Sequence, residues 1–130
     1  MKSGLMMGIL VLVTRGIDQN LQRTGRYIAF DEWIKLVESD PSLRIRTAPY
    51  VAVNPATGDR IATRAGEADS ELEIRGEWVP FLRYHEGKLT IRFTDALLDP
   101  ANPIRNKIAA VAKALDALIT PDVGEELLTW

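Results

Sequence analysis

No cysteine occurs among the 130 residues, and His85 is the single histidine. The first absence excludes disulfide staples, thiolate zinc sites, iron–sulfur clusters and cysteine nucleophiles; the second leaves little for His-based metal centres. Long apolar runs are missing too. The stretch from Leu5 to Val13 has nine residues, far below the roughly 20 that span a bilayer as a helix. Neither sign of charge dominates: 16 basic residues face 18 acidic ones, a formal net charge of −2. Nothing global therefore demands nucleic acid or an anionic membrane.

What is present describes an ordinary globular chain. It is 46% hydrophobic and 26% charged, and its length suits one domain, residues 1–130. A chain of this size buries roughly two thirds of its unfolded surface, enough for an unaided core. At the start, Lys2 ahead of the apolar run imitates a secretory signal, but Thr14-Arg15-Gly16-Ile17-Asp18 follows with no small-x-small cleavage site. Ile9 to Val13 reads instead as a buried strand, and the chain as cytoplasmic with no membrane association. Met1, Met6 and Met7 are all open as the natural start.

The segment Asp18 to Arg26 has no period and reads as a loop. Helix one is expected over about Glu32 to Ser39, with Asp31 as cap and Trp33, Leu36 and Val37 on one face. Asp40-Pro41 ends it. Leu43 to Thr47 alternates as a strand, and Tyr50–Val53 and Arg60–Thr63 make a hairpin around Asn54-Pro55-Ala56-Thr57-Gly58. Glu71-Leu72-Glu73-Ile74 alternates again, with the two glutamates expected outward.

Glu86-Gly87 marks a second hairpin. Its two-residue loop sets His85 opposite Lys88, Tyr84 opposite Leu89 and Arg83 opposite Thr90. Strict alternation then puts Trp78, Leu82, Tyr84, Leu89, Ile91 and Phe93 on a core face. Phe81, Arg83, His85, Lys88 and Arg92 fall on the opposite, basic face. Asn102-Pro103 opens helix two, whose stripe Ile104, Ile108, Val111, Leu115, Leu118 is stopped by Pro121. The tail from Gly124 to Trp130 is open either as an edge strand or as a segment lying against the body. Together these elements predict an α+β fold, a mostly antiparallel sheet of five to seven strands packed by two helices.

The segments VLVTRG (11–16), DEWIKLVESDPSLR (31–44), YVAVNPATGDRI (50–61), GEWVPFLR (76–83) and DPANPIRNKIAAVAKAL (99–115) resemble a family of small uncharacterised bacterial proteins. The resemblance runs over most of the chain and implies a bacterial, cytosolic, stand-alone domain. The family has no established activity, so it implies no site residue.

Little chemistry stands out. Ser3, Ser39, Ser42 and Ser70 lie in no nucleophile-elbow context that could serve His85. Gly87-Lys88-Leu89-Thr90 echoes the end of a phosphate loop but leads into a strand, where a helix N-terminus is required. The acidic runs Glu67-Asp69-Glu71-Glu73 and Asp122-Glu125-Glu126 have no calcium-loop spacing. No catalytic, cofactor-binding or metal residue is therefore assigned.

The candidate interaction face is Phe81, Arg83, His85, Lys88 and Arg92. It favours a non-catalytic protein-interaction domain, an immunity-type protein being one form of it. The alternative is a small enzyme or ligand-binding protein with a carboxylate or arginine pocket, in which Asp95 and Asp99 are eligible carboxylates. The second alternative is weak nucleic-acid binding through the basic hairpin, against which the net charge weighs. An unpaired strand edge also keeps a homodimer open.

Overall fold

A computed structural model describes residues 9–122 and 126–130. The three candidate start methionines and Glu125 lie outside the described residues. In chain order the elements are β1 (Leu10–Thr14), α1 (Phe30–Ser39), β2 (Leu43–Ile45), β3 (Tyr50–Val53) and β4 (Arg60–Thr63). They continue with β5 (Asp69–Ile74), β6 (Glu77–His85), β7 (Lys88–Arg92), a 3-10 turn at Asp95–Leu98, α2 (Pro103–Ala114) and β8 (Leu118–Pro121). Six strands form one antiparallel sheet in the order β2-β5-β6-β7-β1-β8, and β3 pairs with β4 in a separate hairpin. The fold is α+β, as its alternation of hairpins and helices predicts.

One face of the large sheet carries the core. Val11 lies opposite Ile91 and Val13 opposite Leu89, and Ile119 flanks Val13 on the other side. Both helices press on this face. Trp33 and Val37 of α1, and Ile108, Val111 and Ala112 of α2, are buried in one cluster with Val11, Val13, Leu43, Leu72, Leu82 and Leu89. Burial of such side chains contributes about 1.5–3 kcal/mol each before ordering entropy is subtracted. The indole nitrogen of Trp33 is satisfied by donating to the Ala68 carbonyl at 2.9 Å.

The helix ends follow local chemistry, with two departures from expectation. Asn102 caps α2, its side-chain Oδ1 accepting from the backbone N–H groups of Ile104 and Arg105 at 2.8 and 3.1 Å, with Pro103 at the first helical position. Leu118, expected to continue the α2 stripe, instead starts β8. The helix stops at Ala114 because Asp116 takes a left-handed conformation, φ +52°. The described part of the tail, 126–130, forms no strand and lies against the body, where the Leu128 N–H donates to the Ile119 carbonyl and backs β8. At α1, Asp31 is not the cap. Glu32 reaches back to accept from the Ala29 N–H at 3.1 Å, as the third residue of a capping box does.

The largest correction concerns β6. Asp69 pairs with Arg83 but Glu71 pairs with Pro80, so Ser70 alone opposes both Phe81 and Leu82. This is a β-bulge, and it changes the phase of alternation along the strand. Phe81, expected on the exposed basic face, is buried at 2% exposure beside Leu82. Trp78, expected in the core, lies opposite Glu73 on the other face, with the Arg44 guanidinium 4.2 Å above its ring. Ser70 donates to the Leu82 carbonyl at 2.7 Å, which serves a carbonyl at the site of the disrupted ladder.

Candidate interaction site

Residues opposite one another share a face, and the pairs Leu10–Arg92, Leu12–Thr90, Arg83–Thr90 and His85–Lys88 therefore define the second face of the sheet. Both helices lie on the first. Arg83, His85 and Arg92 are exposed there and Lys88 is half-buried. Phe81 sits below them. The tight turn at Glu86-Gly87 places His85 at the rim. Its Gly87 is tucked against the chain so closely that a Cβ would stand 2.7 Å from Cβ of Tyr27.

Next to the basic residues lies an ion-pair network that ties β2, β3, β5 and β6 together. Glu71, expected outward and solvated, is buried at 6% exposure. Its two oxygens accept from Arg44 Nε at 2.7 Å and Arg46 Nη1 at 2.6 Å. A buried carboxylate is tolerable only when paired in this way. Asp69, also buried, accepts from the Tyr50 hydroxyl and the Gly66 N–H, both at 3.0 Å. The Tyr50 ring lies between the guanidiniums of Arg46 and Arg83, at 4.1 and 4.4 Å. Burial and the neighbouring Asp69 carboxylate push the Tyr50 hydroxyl above its ordinary range.

That sandwich holds the base of the β3–β4 hairpin against the sheet. Beyond Tyr50 the hairpin projects freely, with Val51, Val53 and Ile61 at 48, 56 and 62% exposure.

Arg83 stands between two adjoining cavities. One, about 580 Å³, opens between the hairpin base and the sheet and includes Tyr50, Arg64, Asp69 and His85 in its wall. The other, about 350 Å³, lies between β6 and β7, with Pro80, Phe81, Ile91 and Arg92 among its lining residues. Leu10, Arg83 and Thr90 belong to both. The second cavity follows from the bulge: β6–β7 pairing ends at Arg83–Thr90, and the strands part where Leu82–Ile91 and Phe81–Arg92 would have continued the ladder.

The guanidinium of Arg83 is half exposed, 51%, and its nearest carboxylate, Asp69, is 3.7 Å away. Asp69 is already committed to two shorter hydrogen bonds. Among the described residues, no group of three or more His, Asp or Glu gathers to hold a metal, and no helix is long and apolar enough to cross a membrane.

Three of the five basic-face residues, Arg83, His85 and Arg92, thus rim the cleft, with Phe81 as part of its floor; Lys88 shares their face but lines a separate depression with Leu12 and Thr120. Tyr50, Arg64, Asp69 and Leu10 were not recognisable as cleft residues from sequence. The one available signal was the complementarity of Arg44-x-Arg46 and Asp69-x-Glu71, which the pairing of β2 with β5 brings together. No family model matches the sequence, and comparison with curated proteins and with solved structures likewise finds no match.

Proposed function

We propose that this chain is a non-catalytic protein-interaction domain that docks an acidic segment of a partner protein across the cleft around Arg83. The observation that carries this reading is the charge on the cleft. Arg64, Arg83 and Arg92, with His85 beside them, face its two cavities, against a single carboxylate among the described residues, Asp69, that is bound internally. Such a rim steers an anionic partner and fixes its register, while the half-buried Leu10 offers apolar contact beneath.

Two features favour this over the other readings. Acid–base catalysis by paired carboxylates needs a second carboxylate in the cleft, and Glu71 is occupied by two arginines. Single-stranded nucleic acid is held by aromatic stacking. Here Phe81 is buried and both faces of Tyr50 are taken by guanidiniums.

The test is affinity capture from the native host with the wild-type chain beside an Arg83→Glu, Arg92→Glu variant. The expected result is a stoichiometric protein held by the wild type and lost by the variant, whose purified form binds more weakly as salt rises. Absence of a stoichiometric partner, or retention indifferent to charge reversal, would overturn the proposal.

A further inference from the structure

We infer that the cavity between β6 and β7 is the anchor of this interaction and that it takes a carboxylate carried beside an apolar side chain, as at the C-terminus of a partner ending in leucine or phenylalanine. The inference rests on the interaction reading above and adds the chemistry of the anchoring group.

Three observations converge on it. The cavity exists because the Phe81–Leu82 bulge parts two strands that are paired at Arg83–Thr90, so its position is fixed by the register. Its walls are of two kinds. Leu10 and Pro80 supply its accessible apolar side chains, with Phe81 and Ile91 bordering it from the core side, and Arg83 and Arg92 supply cationic groups to the same cavity, with no acidic residue among those lining it. Its volume, about 350 Å³, lies in the range of sites that enclose a small group rather than a flat protein surface.

A guanidinium presents parallel N–H donors that match the two oxygens of a carboxylate. Arg83 is held in place by stacking on Tyr50, so little of its freedom is lost when it binds. A neutral ligand would leave Arg92 and the exposed guanidinium of Arg83 without an anion, and a purely charged one would leave Leu10 and Pro80 without contact. Only a ligand with both parts uses the whole cavity.

The probes are N-acetyl-leucine, which carries both parts, and N-acetyl-leucinamide, which has the same apolar body without the charge. Binding is followed by backbone amide shifts of the full chain. N-acetyl-leucine should saturate, on the order of millimolar for so small a ligand, with the largest shifts at Phe81, Ile91 and Arg92. The amide should bind at least about tenfold more weakly, and Arg92→Gln should weaken the acid about tenfold. Arg92 is an exposed side chain, and this variant keeps the test informative if Arg83→Gln loosens the hairpin base. Equal binding of acid and amide, shifts centred elsewhere, or no binding of either would overturn the anchor. A charge-dependent partner captured in that event would leave the broader interaction reading standing, which separates the two failures.

Discussion

Arg15 grips Glu32 with both terminal guanidinium nitrogens, Nη1 at 2.8 Å and Nη2 at 2.6 Å. The same guanidinium donates to the Leu115 carbonyl through Nε at 2.7 Å and to the Tyr27 carbonyl through Nη1 at 3.2 Å. One side chain at the end of β1 thus joins the start of α1 to the end of α2. Hydrogen bonding from Arg15, followed by the Ala29 N–H, holds the Glu32 carboxyl at about 2 instead of 4.5.

This pair makes stability acid-sensitive in a defined window. A carboxyl with a depressed folded-state pKa contributes stability that is fully present above its unfolded value and is lost as the proton binds. The loss attributable to Glu32 should begin as pH falls below about 4.5 and be complete below about 2. Urea midpoints measured across that range should fall more steeply in the wild type than in Glu32→Gln. The Glu32 side chain is 43% exposed, so added salt should shrink the difference. Equal slopes for the two proteins would contradict the assignment.

Tyr50→Phe keeps the ring between Arg46 and Arg83 but removes the hydroxyl donor to Asp69. The expected cost is about 1–2 kcal/mol, since a buried carboxylate loses a partner. In the wild type the raised Tyr50 pKa works in the opposite pH direction to Glu32. Stability tied to the protonated hydroxyl is present below the ordinary value of 10.0 and disappears as pH rises through the higher folded value. Absorbance of the phenolate during alkaline titration should show one tyrosine ionising late, and that late ionisation should vanish in Tyr50→Phe.

Ser70→Ala probes the bulge. Its hydroxyl is fully buried and donates to Leu82, so truncation should cost about 1–3 kcal/mol by leaving that carbonyl unsatisfied. Amide shifts at Phe81, Leu82 and Ile91 should move with it, because the parting of β6 from β7 lies across the same backbone. A neutral substitution with unchanged shifts there would show that the bulge stands without the serine.

Gly87→Ala should destabilise the fold by more than about 1 kcal/mol. Gly87 has φ +82°, a conformation that costs a side chain energy, and the new Cβ would collide with Tyr27. Thermal unfolding measures the loss. Gly76→Ala is the comparison, since Gly76 has a similar φ of +84° with nothing within 4 Å of its Cβ position. The excess loss at Gly87 reports the contact alone.

The parts of the fold that were legible in sequence are those with punctuated ends. Pro55 and Gly58 delimit β3 and β4 at the expected residues, Glu86-Gly87 sets the His85–Lys88 register, and Asn102-Pro103 starts α2 on the expected residue. What escaped was governed by choices that leave little local trace. The bulge was hidden because strict alternation placed Phe81 and Leu82 on opposite faces. β8 was hidden because Leu118 continues the helical spacing, and only the backbone turn at Asp116 separates the two structures.

The cleft was half legible. Arg83, His85, Lys88 and Arg92 could be assigned to one face by hairpin register alone. The association of Arg83 and His85 with Tyr50, Arg64 and Asp69 depends on β2 lying beside β5 and on where the hairpin folds back, both long-range outcomes. The burial of Glu71 is hidden for the same reason. An alternating acidic residue resembles a solvated strand face until a neighbouring strand supplies its arginines.

The projecting β3–β4 hairpin has a thermodynamic consequence of its own. Two strands without a covering layer are marginal in water, and β3 and β4 share a backbone ladder only with each other. Their opening therefore draws on local free energy, not on the cooperative unfolding of the six-stranded sheet. Amides at Val51, Val53 and Ile61 should exchange with solvent while those of β1 and β7 remain protected. The Tyr50 sandwich marks the boundary between these two exchange regimes, so a ligand that tightens Arg83 would slow exchange in a segment it never touches.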